Sequence, residues 1–149
     1  MMLIEPATMA DAPAVVALWE ACALTRPWND PHADFARALA GAASCVLVAR
    51  GTGGAIIGSA MTGYDGHRGW IYYLAVDPGH RRAGLGRALM AAAENWLSAR
   101  DCPKLQLMVR ADNQAALGFY AALGLEQQPV VTLGRFLGTA APETREERG

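Results

Sequence analysis

This chain has few cysteines and almost no net charge, and each of these features argues against certain classes of protein. The three cysteines, Cys22, Cys45 and Cys102, are isolated, and no Cys-x-x-Cys pair occurs. An odd number of cysteines without that spacing argues against a disulfide framework and against a zinc site. The formal net charge of -1 gives no overall field toward nucleic acid or membrane. We therefore expect no metal, no nucleic-acid partner and no membrane partner.

Long apolar runs are also missing. No uninterrupted stretch approaches the roughly 20 residues of a membrane span. Met1–Glu5 lacks the basic and apolar regions of a signal peptide, so we expect a cytoplasmic protein. The chain does have 149 residues, 52% of them hydrophobic, which suffices for one globular domain with a sizeable core. We place this domain at residues 1–141 and a charged, disordered tail at residues 142–149.

The hydrophobic periodicity predicts an α/β (α+β) fold with a mixed central sheet of about six to seven strands and about four helices. The predicted strands are residues 3–5, 45–49, 55–64, 70–76, 104–109 and 130–137. The predicted helices are residues 10–24, 31–40, 87–99 and 113–123. A meander of strands thus precedes a strand–helix–strand crossover.

The most informative segment runs from Val76 to Met90. An apolar strand leads into Arg81-x-x-Gly84-x-Gly86, and a helix rich in alanine and leucine follows. Glycines let a bound group approach the backbone closely, and the free N–H groups and dipole of a helix N-terminus favour an anion. With Arg82 and Arg87 beside it, this loop predicts a site for a phosphate or pyrophosphate.

Two common phosphate-binding loops do not fit. A P-loop ends in Gly-Lys-Ser/Thr, whereas Gly86 is followed by Arg87 and Ala88. A dinucleotide-binding loop needs a third glycine where this chain has Leu89.

Val76-x-Pro78-x-x-Arg81-x-x-Gly84-x-Gly86 resembles the acetyl-CoA-binding signature of the GNAT acetyltransferase superfamily. Downstream, Asn113-x-x-Ala116-x-x-Phe119-Tyr120-x-x-Leu123-Gly124-Leu125 is similar to the second signature of that family, with Leu125 where Phe is more usual. Arg26–Pro31 and Tyr64–Gly69 further resemble the YpeA-like group of bacterial acetyltransferases.

This resemblance implies a single-domain GNAT fold in which strand 70–76 splays from strand 104–109 to admit the thioester of acetyl-CoA, the co-substrate. The backbone of the strand residues would bind the pantetheine arm, and the loop would bind the pyrophosphate. The residues so implied are Leu74, Ala75, Val76, Arg81, Arg82, Ala83, Gly84, Leu85, Gly86 and Arg87. An N–H of Leu74 or Val76 would stabilise the oxyanion that forms when an amine attacks the thioester.

Tyr120 and Asn113 complete the implied site. A thiolate leaving group has a pKa of about 8.5 and a tyrosine of about 10, so a neutral tyrosine can donate a proton to sulfur. The family places a catalytic tyrosine at the position of Tyr120, which also contacts the cofactor; the alternative is an aromatic packing residue. Asn113 is expected to cap its helix, and the resemblance adds a cofactor contact.

The base and the acceptor site are less defined. Many family members place a glutamate on the strand before the glycine loop, but this strand has aromatic residues there. The candidate bases are His67, Asp65, Glu20 or an ordered water. The candidate acceptor-binding residues are Trp28, Asn29, Tyr64, Asp65 and His67. Aromatic and acidic groups attract a cationic amine, although Asp65 and its neighbours also suit a hairpin turn.

The sequence thus predicts an N-acetyltransferase that transfers an acetyl group from acetyl-CoA to an unidentified primary amine by direct attack. The alternative is a non-catalytic acyl-CoA-binding regulatory or interaction module, which the missing strand carboxylate suggests. A third possibility is a longer acyl-CoA donor. A homodimer is also possible.

Overall fold

The computed structural model describes residues 3–138, so the predicted tail at residues 142–149 lies outside the described residues. The chain divides into two compact units, Met1–Leu107 and Met108–Gly149. The described helices are α1 (Ala12–Ala21), α2 (Pro31–Ala40), α3 (Leu85–Ser98) and α4 (Gln114–Ala122). The described strands are β1 (Leu3–Pro6), β2 (Ser44–Arg50), β3 (Ile56–Tyr64), β4 (Gly69–Val76) and β5 (Leu105–Leu107). Among these described helices, none has the length and apolar character needed to cross a membrane.

The first unit is built on one open, mixed sheet in the order β1-β2-β3-β4-β5. The first four strands pair antiparallel with their neighbours, and β4 pairs parallel with β5. Because parallel neighbours need a crossover connection, α3 joins β4 to β5. The expected strand–helix–strand crossover is therefore present, and it sets the glycine loop at the end of β4.

The expected number of strands was wrong, since the described residues contain five rather than six or seven. The candidate strand at residues 130–137 is irregular chain. Its apolar residues do not alternate strictly, so they cannot share one buried face of a sheet. They are largely exposed instead: Val130, Val131, Leu133 and Leu137. β5 is also shorter than the predicted strand at residues 104–109.

Helices α1 and α2 cover one face of the sheet. Trp19 and Phe35 are fully buried there against Val46 and Val48 of β2. The Asp30 carboxylate accepts a hydrogen bond from the Ala33 N–H, so α2 begins and ends where the sequence predicts. Helix α1 ends three residues earlier than expected, because Ala23 adopts a left-handed φ of 57° that an α-helix cannot continue through.

Helix α3 covers the opposite face, and glycines in the sheet let it approach. A Cβ added at Gly58 would lie 2.9 Å from Leu89 Cδ1 and 3.1 Å from Leu85 Cδ2. At the other end of the helix, a Cβ at Gly69 would lie 2.7 Å from Leu97 Cδ1. Gly58 of β3 therefore sets the depth at which the N-terminus of α3 rests on the sheet.

Candidate functional site

The edge of β4 that faces β5 has no described strand partner beyond Ile71, and we call this stretch the uncovered edge. Parallel pairing runs from Gly69 opposite Leu105 to Ile71 opposite Leu107, and no described strand pairs with this edge farther along. The Asp77 N–H donates to the Ile57 carbonyl of β3 over 2.8 Å. Because successive N–H groups of an extended strand point to opposite edges, those of Val76 and Leu74 point to the uncovered edge.

A β-bulge interrupts β4 at the same place. Ser59 pairs with Ala75 and Met61 pairs with Tyr72, so two residues of β4 face one of β3. The first of these two is Tyr73, which has a φ of 51°. The left-handed conformation is unusual for any residue other than glycine, and it turns the backbone that leads into Leu74.

The glycine loop ends β4 and begins α3. The Asp77 carboxylate accepts from the Gly79 N–H, and its contact with His80 lowers the pKa of that carboxyl. Gly84 is the N-cap of α3 with a φ of 80°, and the Ala88 N–H donates the first helical bond to its carbonyl. The N–H groups of residues 85–87 precede that bond and so lack helical acceptors. Three donors and the dipole of a 14-residue helix converge there, which favours an anion.

The three arginines of the loop differ in their contacts. Arg81 turns back toward the strand, where its Nε donates to the Val76 carbonyl over 3.3 Å and Nη2 lies 3.8 Å from Cys22 Sγ. Arg82 and Arg87 are exposed, and neither forms an ion pair with any residue in the described part of the chain. Their guanidinium groups are available for charge-assisted bonds to a phosphate.

The second unit holds the other two implied residues. The Asn113 side chain accepts from the Ala116 N–H over 3.1 Å, which confirms that it caps α4. Tyr120 is half-buried, its ring packs edge-on against Phe119 with centroids 5.0 Å apart, and burial raises the pKa of its phenol. Its hydroxyl makes no hydrogen bond within residues 3–138, so its proton is not committed to another side chain there.

The comparisons with known proteins decide the family. The model of the acetyltransferase (GNAT) family matches residues 13–125, which is most of the chain and includes both the glycine loop and Tyr120. The chain belongs to the GNAT acetyltransferase family. This assignment makes the protein an enzyme, an acetyltransferase, and not the non-catalytic module that the sequence left open.

Individual relatives agree with the family. The acetyltransferase is 48% identical over 136 residues to an acetyltransferase of Yersinia enterocolitica, covering 91% of this chain and 96% of the relative. It is similar in fold to AAC(6')-Iy, solved with the bisubstrate analogue CoA-S-monomethyl-acetylneamine, with a TM-score of 0.78, 20% identity and coverage of 91% and 98%. The ribosomal-protein-S18-alanine N-acetyltransferase of Escherichia coli matches with a TM-score of 0.70, 28% identity and coverage of 83% and 77%.

The residues predicted to bind the acceptor fall into two groups. Tyr64 ends β3, and Asp65 and His67 lie in the turn that precedes β4. Asp65 Oδ1 accepts from the backbone N–H groups of His67 and Arg68, and Oδ2 accepts from the Trp70 indole over 3.1 Å. These bonds lower the pKa of Asp65 and make it a turn cap. His67 is exposed, and in the described residues no side-chain bond links it to β4.

Trp28 and Asn29 lie in the loop between α1 and α2, residues 22–30. At the start of this loop the Cys22 thiol donates to the Val76 carbonyl over 3.3 Å, and beyond its end Asp34 of α2 contacts Tyr73. Within residues 3–138, no hydrogen bond joins Trp28 or Asn29 to Tyr64, Asp65 or His67. The other candidate base, Glu20, is exposed on α1, and no side-chain bond within residues 3–138 ties it to β4.

Sequence reasoning missed one pair beside the bulge. The Tyr73 hydroxyl donates to Asp34 Oδ2 over 2.7 Å, and the Tyr73 ring stacks on Trp19 with centroids 3.8 Å apart. The two partners come from α2 and α1, 39 and 54 residues away along the chain. The sequence offered only a weak indication that Tyr73 matters. Three aromatic residues, Trp70, Tyr72 and Tyr73, occupy the strand where the family more often has a carboxylate.

Proposed function

We propose that this enzyme is an acetyl-CoA-dependent N-acetyltransferase that acetylates a primary amine by direct attack on the thioester. The observation that carries the proposal is the uncovered edge of β4, which runs directly into an anion-binding helix N-terminus. One end of such a site suits a pyrophosphate, and the strand edge suits an extended, amide-containing arm. Acetyl-CoA combines these two features and supplies the acetyl group.

The loop residues fit the charged part of this co-substrate. Gly84 adopts a positive φ that brings the backbone of the loop close to a ligand, and the amides of Leu85, Gly86 and Arg87 lack helical acceptors. Arg82 and Arg87 add positive charge that no described acidic residue neutralises. Arg81, which bonds to the Val76 carbonyl, has a second role in our proposal: it joins the loop to the end of β4.

The residues at the end of β4 fit the pantetheine arm and the thioester of acetyl-CoA. The backbone of Leu74, Ala75 and Val76 would align the pantetheine arm along the free edge. A Leu74 or Val76 N–H would donate to the carbonyl oxygen of the thioester as negative charge develops on it. Removal of one such donor in other enzymes lowers kcat by about 10²- to 10³-fold, so this bond is a major part of the expected rate enhancement.

Tyr120 is the proposed general acid. Burial raises the pKa of its phenol, so it remains protonated at neutral pH. The hydroxyl would donate a hydrogen bond, and in the transition state its proton, to the departing sulfur. Because a free thiol with a pKa of about 8.5 is a stronger acid than the phenol, this transfer would accompany C–S cleavage, and the phenolate would then regain a proton from solvent. Asn113 holds the first turn of the same helix, and a cofactor contact from it belongs to the same proposal.

The amine itself is proposed by class. AAC(6')-Iy was solved with an acetylneamine conjugate, and the Escherichia coli enzyme is an alanine N-acetyltransferase of a ribosomal protein. A useful panel therefore contains an aminoglycoside, a peptide with N-terminal alanine, a lysine side chain and a simple alkylamine. Trp28 and Asn29 remain proposed acceptor contacts, whereas Tyr64, Asp65 and His67 would bind only an acceptor long enough to reach the start of β4.

The test is release of free CoA with this panel, comparing wild type with Tyr120→Phe. We expect turnover with at least one amine and a fall in kcat of roughly 10²-fold in the variant, since general acid catalysis contributes about 10²- to 10⁴-fold. Phe119→Leu is the matched control, because it alters the adjacent ring and leaves the hydroxyl. No turnover with any amine, or equal rates for wild type and Tyr120→Phe, would contradict the proposed chemistry.

Three finer assignments belong to the same proposal. Arg26–Pro31 and Tyr64–Gly69 support a place in the YpeA-like group of bacterial acetyltransferases. A cytoplasmic location suits an enzyme that consumes acetyl-CoA. A homodimer would be tested by sedimentation at several protein concentrations.

A further inference from the structure

The backbone at Tyr73 is held in a costly conformation. Its φ of 51° lies in the left-handed region, where the side chain of any residue other than glycine crowds the backbone. A glycine at the first position of such a bulge would relieve the crowding. A tyrosine persists in that conformation only when its surroundings fix it, and residues of this kind cluster at functional sites.

Three contacts fix Tyr73, and a further hydrogen bond joins two of its partners. Its ring lies parallel to Trp19, at an interplanar angle of 9°, and its hydroxyl donates to Asp34 Oδ2 over 2.7 Å. Its carbonyl accepts from Ser59 Oγ over 3.2 Å, and the same Ser59 Oγ accepts from the Trp19 indole over 2.9 Å. Burial, and then the bond to Asp34, raises the pKa of the Tyr73 phenol, so the hydroxyl keeps its proton and stays a donor.

The carboxylate of Asp34 is itself oriented. Its Oδ1 accepts from Arg37 over 2.8 Å on the same helix, which leaves Oδ2 directed at the Tyr73 hydroxyl. Asp34 therefore ties α2 to the bulge by a charge-assisted bond that is only partly exposed to solvent. The next residue after Tyr73 is Leu74, whose N–H points to the uncovered edge of β4.

We infer that Asp34 and Tyr73 are positioning residues for acyl transfer: the bond between them fixes the bulge and so aims the Leu74 N–H at the thioester oxygen. The inference rests on the proposed function. It assigns the pair no proton transfer and no contact with substrate. Because an oxyanion donor works only when it is aimed in advance, loosening the bulge lowers the rate without removing any group from the reaction.

The kinetic test compares Tyr73→Phe, Asp34→Ala and Asp34→Asn with Tyr72→Phe. Tyr72 is the adjacent tyrosine, and its hydroxyl makes no hydrogen bond within the described residues. We expect Tyr73→Phe and Asp34→Ala to lower kcat by roughly 10-fold, less than the loss of an oxyanion donor, and to leave KM for acetyl-CoA within about twofold. Asp34→Asn, whose amide oxygen still accepts from the tyrosine, keeps most of the activity.

Two results would overturn the inference. If Tyr73→Phe behaves as Tyr72→Phe does, the hydroxyl has no positioning role. If Asp34→Asn is as impaired as Asp34→Ala and its pH–rate profile changes, the charge of Asp34 acts directly. The double variant Tyr73→Phe/Asp34→Ala should be no slower than either single variant, because both remove the same bond.

A measurement without turnover separates this inference from the proposed function. Backbone chemical shifts of the wild-type protein should report a positive φ at Tyr73. The Leu74 amide resonance should move in Tyr73→Phe and Asp34→Ala, and stay in place in Asp34→Asn and Tyr72→Phe. If wild type acetylates no amine, the proposed function fails, and the inference is judged by these shifts alone; an unmoved Leu74 resonance in Tyr73→Phe overturns it.

Discussion

Gly58→Ala is the substitution that most directly tests how the sheet positions the cofactor helix. The added Cβ would lie 2.9 Å from Leu89 Cδ1, 3.1 Å from Leu85 Cδ2 and 3.3 Å from the Ala75 carbonyl. Both leucines are buried, at 0% and 3% exposure, so they have little room to move. Overpacking costs about 1–3 kcal/mol, and the smaller entropy of the unfolded alanine chain returns about 0.4–1 kcal/mol. We expect a net loss of about 1–2 kcal/mol in the free energy of unfolding.

Urea unfolding followed by circular dichroism measures this loss, with an unchanged m-value. The matched control is Gly63→Ala on the same strand, where the added Cβ would meet the Ala43 carbonyl and Ser44 Cβ at an ordinary 3.4 Å. It should stay within about 0.5 kcal/mol of wild type. Because Gly58 lies beneath the first turns of α3, its variant should also bind CoA more weakly in calorimetry. A Gly58→Ala protein as stable as Gly63→Ala would show that Leu85 and Leu89 accommodate the added Cβ without loss of packing.

Three further predictions concern a helix cap, an ion pair and the loop arginines. Asp30→Ala removes the N-cap of α2 and should cost about 1 kcal/mol in urea unfolding, whereas Asp30→Ser should cost little. The hydrogen bonds from Arg50 lower the pKa of Asp11, so its stabilisation is complete above the unfolded pKa and disappears as pH falls through the folded one. Asp11→Asn should therefore be less stable than wild type at pH 7 and equal to it below the folded pKa; a constant difference down to that pH would contradict this. Arg82→Ala and Arg87→Ala should each weaken CoA binding by about 10-fold, with a smaller salt dependence, and unchanged calorimetric affinities would argue that neither side chain contacts phosphate.

Local signals in the sequence were sufficient for most of the fold. Asp30 followed by Pro31 encodes a cap and a first turn, and α2 has the predicted bounds because both signals act within four residues. The glycine loop could also be predicted from local sequence, because Gly84 takes a positive φ that glycine adopts readily. The family was predicted from two motifs and is confirmed by the match over residues 13–125.

The errors arose where distant residues decide the structure. Nothing local marks Tyr73 for a left-handed conformation, because Trp19, Asp34 and Ser59 impose it from other elements. The segment at residues 130–137 has residues typical of strands, but β-propensity depends on a partner and a buried face.

Mass spectrometry of the amine panel after incubation with acetyl-CoA shows whether this enzyme transfers an acetyl group to an amine. We expect one amine to gain a single acetyl group in wild type, with an equal amount of free CoA released, and both products to fall together in Tyr120→Phe. Release of CoA without any acetylated amine, or no reaction in wild type at all, would contradict the proposed acetyl transfer.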